Sequence, residues 1–308
     1  MCAICGYYCF SEMKPEKNVL KELLVNSQTR GKDATGIGYI KDGSLVIKKQ
    51  AIPASEFVSC LDETELPGMM IMHCRQATQG RPDEQANNHP IFTKSGLALV
   101  HNGIVLNDQE LFEQHKLERD GQVDSEIIAK LVEKEGRFNN LKMLDEIEGG
   151  FTFAAIWTRF PNQLLLVKHD NPLAIAVDTK QDVLYFASST EILRASLPKT
   201  NYRGFVFLPV TRYLFSDISN NTGLVIGLKG ILKNFEIHPK EREFFCDQRW
   251  RTDGYYRNME DDCEFCGKEG RYRDGYGVFL CDGCFKIHRD QYGDYEGDEE
   301  RNGILPLR

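Results

Sequence analysis

The chain has 308 residues, of which 41% are hydrophobic and 27% charged, and its formal net charge is −8. The composition is typical of a globular protein, and the length indicates one large domain with a small one, or two domains. The negative net charge argues against a general polyanion-binding protein. No segment approaches the roughly 20 apolar residues that span a bilayer, and the N-terminus lacks a secretory signal. We therefore expect a cytoplasmic protein whose ten cysteines are catalytic, metal-bound or buried rather than disulfide-paired.

The first half of the chain shows the periodicities of both helices and strands. Residues 18–29 place three leucines on one helical face. The Asp-Gly dipeptide at 42–43 separates two alternating segments, which predicts a β-hairpin. Residues 124–134 predict a second helix, with Asp124 or Ser125 available as its N-cap.

Short apolar runs predict buried strands. MMIMHC at 69–74 and LALVHN at 97–102 end in polar residues, as buried strands do when they deliver side chains at their ends. Four further runs at close spacing predict a meander of buried strands. These runs cover residues 151–157, 164–169, 173–178 and 183–188, and shorter strands are expected within 203–237.

The composition changes after about residue 240, where the sequence becomes polar and loses its periodicity. We predict a main domain of α/β or α+β type at 2–237 and an extension or linker at 238–262. A cysteine-rich module follows at 263–289, and the acidic end at 290–308 is expected to be disordered.

A thiol directly follows the first methionine. If Met1 is removed, Cys2 combines a nucleophile and a base in one residue, because a free α-amino group has an ordinary pKa of about 7.7–8.0. That group can accept the thiol proton, directly or through a water, and later assist the leaving group. The alternative is a small buried hydrophobe near the terminus, and the dipeptide alone favours this structural interpretation.

Five motifs follow in order behind this start. They are RGKDATG at 30–36, HCRQATQG at 73–80, NNHP at 87–90, HNGIVLN at 101–107 and VDSE at 123–126. Each is weak alone, but together they resemble the class II (N-terminal nucleophile) glutamine amidotransferases over roughly residues 2–200. The resemblance implies an α+β fold, the four-layer αββα sandwich of that family, and glutamine as the substrate.

The resemblance assigns the chemistry to three residues. Cys2 would attack the side-chain amide of glutamine and form a γ-glutamyl thioester. The tetrahedral intermediate carries negative charge on the former carbonyl oxygen, and the side chain of Asn102 and the backbone N–H of Gly103 match the family's oxyanion hole. No cofactor is expected for glutamine hydrolysis.

The resemblance also implies clamps for the substrate. The planar guanidinium of Arg75 suits a bidentate bond to the α-carboxylate, Thr78 can add a hydroxyl contact, and Asp124 can pair with the α-ammonium. The positions implied as structural support are Arg30, Asp33 and His101.

Simpler interpretations exist for single residues. An isolated Arg75 would usually be a surface charge, and an isolated Asp124 would usually be a helix cap. Three histidines could be taken for a metal triad, but each falls at a family position that supports substrate loops, and we favour that role. These histidines are His73, His89 and His101.

The sequence departs from the family pattern at three positions. Ala3 stands where the family usually has glycine, which requires an ordinary φ at that residue. Gln76 and Gln79 replace a tryptophan and a histidine of the loop that closes over glutamine. The chemistry is expected to survive these changes, whereas loop closure, affinity and coupling are expected to differ.

The cysteine-rich module contains two matched C-x2-C pairs separated by 14 residues. This spacing suits structural Zn²⁺ in a small zinc-ribbon-like module, and redox dithiols or free cysteines are the alternative. Its charged residues, four thiolates and Zn²⁺ combine to a net charge of −1, so we favour a structural or partner-docking role over nucleic-acid contact. The predicted ligands are Cys263, Cys266, Cys281 and Cys284.

The motifs favour an enzyme that hydrolyses glutamine to glutamate and ammonia. No nucleotide-binding fingerprint is recognised in the chain, so we expect the ammonia to pass to a separate acceptor-activating synthetase, with nucleobase modification as one option. No membrane partner is expected. Two alternatives stay open: a hydrolase of γ-glutamyl amides or peptides, and a non-catalytic scaffold that uses zinc for assembly. The intact set of predicted site residues argues against the scaffold.

Overall fold

The computed structural model describes residues 2–77, 80–198 and 212–240, together with the backbone of 272–273 and 279–280. Contacts divide the chain into two units, 1–242 and 243–308. In the second unit, the described backbone forms one antiparallel pair of short strands, Tyr272–Arg273 and Phe279–Leu280. The acidic end predicted at 290–308 lies outside the described residues.

Five α-helices lie in the described part of the first unit. They are α1 (Lys17–Ser27), α2 (Ala54–Phe57), α3 (Asp108–His115), α4 (Ser125–Glu135) and α5 (Thr190–Ser196). Helix α1 confirms the prediction for 18–29 and buries the expected leucine face. None of these helices is long and apolar enough to cross a bilayer, and the cytoplasmic location stays a prediction.

Thirteen strands of the first unit form two antiparallel sheets among the described residues. The first seven are β1 (Ala3–Cys9), β2 (Ala34–Lys41), β3 (Ser44–Gln50), β4 (Met69–Arg75), β5 (Ile91–Phe92), β6 (Leu97–Gly103) and β7 (Phe151–Trp157). The others are β8 (Leu164–His169), β9 (Ala174–Asp178), β10 (Val183–Ala187), β11 (Tyr213–Asp217), β12 (Thr222–Gly227) and β13 (Gly230–Glu236). The strand orders are β11-β9-β10-β1-β4-β2-β3 and β13-β12-β8-β7-β6-β5.

The predicted hairpin at 42–43 joins β2 and β3. Asp42 and Gly43 have φ values of 50° and 75°. Two successive positive φ angles are typical of the tight turn that matches the right-handed twist of paired strands, which explains the Asp-Gly dipeptide. The hairpin prediction is confirmed.

Three apolar clusters define four layers. One cluster joins α1 and α5 to one face of the first sheet, and a second joins α4 to one face of the other sheet. The third lies between the two sheets. The order is therefore helices, sheet, sheet, helices, which confirms the α+β sandwich. The four cysteines of the predicted zinc-ribbon-like module lie outside the described residues.

The predicted meander is wrong. Strands β7 and β8 pair in the second sheet, whereas β9 and β10 pair in the first, so the chain crosses between the sheets after β8. Each of the four strands has a helix layer on one side and the other sheet on the other side. Both faces are therefore apolar, and hydrophobicity alone does not show to which sheet a strand belongs.

Candidate active site

Three strand ends meet at one end of the space between the sheets. Ala3, at the start of β1, lies opposite Cys74, near the end of β4. Across the sheets, Nε2 of His73 donates to the backbone carbonyl of His101, near the end of β6, at 2.9 Å. The start of β1 and the ends of β4 and β6 therefore meet at one place.

Strand alternation points the predicted site residues into this space. The core between the sheets contains Ile4, Ile71 and Val100 from the same three strands. Cys2, Arg75 and Asn102 stand at even spacing from those residues, and side chains two apart share one face of a strand. The Cys2 thiol, the Arg75 guanidinium and the Asn102 amide thus converge from the two sheets at one end of the space between them.

The Cys2 thiol is half-buried and lies against the loop that follows β4. The backbone N–H of Gln76 donates to the Cys2 sulfur at 3.4 Å, and Nε of Arg30 donates to the Cys2 carbonyl at 3.0 Å. Burial raises the pKa of the Cys2 thiol, while the Gln76 amide and the charge of Arg75 lower it. A thiol with a raised pKa is a poor nucleophile at neutral pH, so this one needs a base.

Asn102 and Gly103 have the properties of an oxyanion hole. Asn102 is 2% exposed, and its Nδ2 has no hydrogen-bond acceptor among the described residues. Such a buried donor is rare, because an unmade hydrogen bond costs about 1–3 kcal/mol. Gly103 has a φ of 145°, and a Cβ there would lie 2.1 Å from the carbonyl oxygen of Gly150, so only glycine fits.

Arg75 is almost completely buried, which excludes the surface-charge interpretation. Its Nη1 donates to Oδ1 of Asn88 and its Nη2 to the carbonyl of Gly80, each at 2.9 Å. Two fixed acceptors orient the plane of the guanidinium, as a bidentate carboxylate clamp requires. Thr78 and Gln79 lie outside the described residues, so the hydroxyl contact predicted for Thr78 stays a prediction.

Asp124 occupies the N-cap position of α4, but it does not cap the helix with its side chain. Its Oδ2 accepts from the backbone N–H of Val105 at 2.7 Å, and its charge acts on both Cys2 and Arg75. The predicted capping role of its carboxylate is therefore corrected. The carboxylate is held instead by the loop that follows Asn102 and Gly103.

Asp33 organises the loop after β4. Its Oδ2 accepts from the backbone N–H of Ala77 at 2.7 Å and from Nε2 of Gln76 at 3.2 Å. Gly31 lies so close to this loop that a Cβ would be 2.5 Å from the backbone of Arg75 and Gln76. The geometry agrees with a supporting role for the RGKD motif, and Gln76 contributes a contact of its own.

Three buried histidines lie beneath the site. The rings of His73 and His89 are 4.1 Å apart between centroids, and His101 bonds Ser125 through Nδ1 at 2.8 Å. Burial lowers the pKa of all three, that of His73 to about 3, so they are neutral at pH 7. Among the residues that the structure describes, no group of His, Cys, Asp or Glu is arranged to hold a metal ion.

We expect these histidines to make the protein acid-labile. They are neutral in the folded state, whereas the unfolded chain binds their protons below about pH 6.5. Stability is fully present above that pH and falls as the pH is lowered, by up to about 1.4 kcal/mol per pH unit for each histidine. Urea unfolding at pH 7.5, 6.5 and 5.5 measures this loss.

Two variants separate this cause from general acid denaturation. The nitrogens of His89 have no hydrogen-bond partner among the described residues, so His89→Leu should retain the fold. The pH dependence of its free energy of unfolding should correspond to about one proton fewer than in the wild type. The exposed His238 is the matched control, and His238→Gln should leave the slope unchanged. If the free energy of unfolding depended equally on pH in the wild type, His89→Leu and His238→Gln, the acid-lability could not be assigned to the buried histidine.

Two residues of the site have roles that their sequence motifs do not predict. Asn88 binds Arg75 with its side chain, and Nζ of Lys49 donates to the Asn88 carbonyl at 2.6 Å. Asn88 stands inside the NNHP motif, which was the only available signal. Lys49 is one of two adjacent lysines on β3, and nothing in the sequence distinguishes it.

A comparison with family models agrees with this geometry. A model described as a glutamine amidotransferase domain matches residues 73–195. The glutamine–fructose-6-phosphate aminotransferases (isomerizing) of Aquifex aeolicus and Pyrococcus horikoshii are 33% and 34% identical over 193 and 192 residues. These alignments cover 60% and 58% of this chain, but only 32% and 31% of the relatives. The chain thus spans about a third of the length of these relatives.

Solved structures share the fold. The glutamine phosphoribosylpyrophosphate amidotransferase of B. subtilis, in complex with ADP and GMP, superimposes with a TM-score of 0.59 at 22% identity. The match covers 76% of this chain and 49% of that one. A structure described as the allosteric regulatory enzyme of purine biosynthesis has the same TM-score at 21% identity. At these identities the likeness shows the sandwich fold.

Proposed function

The chain carries a class II glutamine amidotransferase domain, and on that premise we propose that it hydrolyses glutamine to glutamate and ammonia through Cys2. The observation that carries the proposal is the buried Nδ2 of Asn102, which has no acceptor among the described residues and faces the same inter-sheet space as the thiol. A donor of this kind is suited to negative charge that develops only during reaction.

The proposed reaction has two stages. The free α-amino group of Cys2, after loss of Met1, accepts the thiol proton, and the sulfur bonds to the side-chain carbonyl carbon of glutamine. The oxyanion accepts hydrogen bonds from Nδ2 of Asn102 and the N–H of Gly103. Collapse breaks the carbon–nitrogen bond, and the amine returns the proton so that ammonia leaves. Water then hydrolyses the thioester to glutamate and restores the thiol.

Two charges of opposite sign would bind the amino-acid end of the substrate. Arg75 is proposed to hold the α-carboxylate, since its guanidinium is buried and oriented by neutral acceptors. Asp124 is proposed to hold the α-ammonium. Because both charges also act on Cys2, the substrate would span the clamps with its amide at the thiol.

We further propose that the ammonia passes to an acceptor activated by a separate synthetase, with a nucleobase as one possible acceptor. Support comes from the relatives, whose names state the transfer of nitrogen from glutamine to a second substrate. Affinity capture from the native host with mass spectrometry of bound proteins tests this proposal, and repeated recovery of the chain alone contradicts it.

Comparison of substrates tests the hydrolysis itself. Purified protein should release ammonia from L-glutamine with a higher kcat/KM than it cleaves γ-glutamyl peptides. A preference for the peptides would favour the γ-glutamyl hydrolase instead. Absence of turnover on both substrates, in protein whose N-terminal residue is Cys2, would favour a non-catalytic scaffold.

Zinc is proposed for the second unit from the cysteine spacing alone. The four predicted ligands at 263, 266, 281 and 284 lie outside the described residues. We expect elemental analysis to find one zinc per chain. The double variant Cys263→Ser with Cys266→Ser should lose the metal and destabilise its own module, because structural zinc supplies much of the folding energy of small units.

Glutamine hydrolysis should largely survive the loss of zinc, whereas partner binding should fall. Cys60→Ser is the matched control, since Cys60 is a half-buried cysteine of the first unit and should leave the zinc content unchanged. A folded, metal-free variant that has lost glutamine hydrolysis completely would contradict the separation of zinc from catalysis.

A further inference from the structure

The guanidinium of Arg75 is oriented by a buried side chain outside the predicted site. Oδ1 of Asn88 accepts from Nη1 of Arg75 at 2.9 Å, and Asn88 is completely buried. The backbone carbonyl of Gly80 is also an acceptor of the guanidinium, at 2.9 Å from Nη2. Asn88 is thus a side-chain partner of the guanidinium that substitution can remove.

The Asn88 amide is held at both ends. Its Nδ2 donates to the carbonyl of Pro82 at 2.6 Å, which directs Oδ1 towards Arg75. An amide oxygen orients the guanidinium without contributing a negative charge. A carboxylate in this place would form an ion pair with Arg75 and compete with a bound α-carboxylate. The Asn88 amide therefore orients the guanidinium without adding a negative charge of its own.

Lys49 holds the backbone of the same segment. Its Nζ donates to the carbonyls of Asn88 at 2.6 Å and Pro90 at 3.1 Å, and it lies 5.3 Å from the ring centroid of Phe92. Burial, and then the charge of Arg75, lower the Lys49 pKa to about 8. The ammonium is a donor that fastens the turn carrying Asn88 to the edge strand β3.

We propose that Asn88 is a positioning residue that sets the Arg75 guanidinium for the substrate α-carboxylate, and that Lys49 anchors Asn88. The inference rests on the proposed function, because it concerns how that site recognises the amino-acid end of glutamine. Neither residue touches the reacting amide. Their substitution should therefore affect recognition of the carboxylate rather than the chemical step.

A pair of substrates isolates this effect. L-Glutamine carries the α-carboxylate, whereas 4-aminobutanamide has the same amide and amine without it. For Asn88→Leu we expect the KM for glutamine to rise about tenfold to hundredfold, the range for a lost hydrogen bond to a charged group. The kcat for glutamine and the kcat/KM for 4-aminobutanamide should stay within about threefold of wild type.

Two further variants sharpen the test. Asn88→Asp retains an acceptor of the same shape but adds a negative charge, so it should also raise the KM for glutamine and spare 4-aminobutanamide. Lys49→Met should lower the ratio of kcat/KM for glutamine to kcat/KM for 4-aminobutanamide, but by a smaller factor than Asn88→Leu does. Asn26→Leu is the control. Nδ2 of Asn26 donates to Oγ of Ser196 between α1 and α5, and loss of this hydrogen bond should leave the ratio of the two kcat/KM values unchanged.

The outcomes are distinct. If thermal denaturation shows that Asn88→Leu is not folded, the kinetics of Asn88→Asp decide. If turnover of 4-aminobutanamide is below detection, the separation of KM from kcat for glutamine decides. Equal losses on both substrates, or a fall in kcat alone, would overturn the inference. A wild-type protein without glutamine hydrolysis would instead overturn the proposed function.

Discussion

Cys2→Ala should abolish glutamine hydrolysis, with kcat falling by a factor on the order of 10⁴ or more, because no other group can form the thioester. The fold should remain, since alanine fits wherever cysteine does and Cys2 stands before the first residue of β1. Ammonia release and thermal unfolding of the purified variant measure the two expectations. Cys60→Ala removes a half-buried thiol elsewhere in the first unit and serves as the control.

The same mechanism requires a free α-amino group on Cys2. Burial raises the pKa of the thiol, so removal of its proton at neutral pH depends on that amine. Intact-mass analysis should therefore find that active protein has lost Met1. Full activity in protein that retains Met1, or appreciable turnover by Cys2→Ala, would contradict the assignment of both nucleophile and base.

Asn102→Ala should lower kcat by about 10²–10³, equivalent to about 2.7–4 kcal/mol of transition-state stabilisation. The amide Nδ2 has no acceptor among the described residues, so the loss of this donor breaks no hydrogen bond to them. The donor is used only when the carbonyl oxygen becomes negatively charged, and the KM for glutamine should change little.

Steady-state kinetics with glutamine distinguish this role from a structural one. Asn234→Ala changes an exposed asparagine on β13 and should leave both constants unaltered. A large rise in KM with unchanged kcat would place Asn102 among the substrate clamps instead. A marked loss of thermal stability with unchanged kinetics would make it a structural residue.

Local features of this protein were determined by the sequence by itself. The leucine face of α1, the Asp-Gly turn between β2 and β3, and the strands that end at Arg75 and Gly103 all follow from the periodicity or turn chemistry of a few neighbouring residues. The five motifs could also be recognised in the sequence, because each places its chemical groups within one short segment. The zinc ligands rest on this kind of argument alone and stay a prediction.

Non-local features were decided only by the tertiary structure. The sheet to which β9 and β10 belong, the bond from Asp124 to Val105, and the support of Arg75 by Asn88 all depend on segments that are distant in the chain. A strand buried on both faces has no polar alternation to mark its partner. A buried polar side chain finds its acceptor only after the sheets have stacked, so its role is a property of packing.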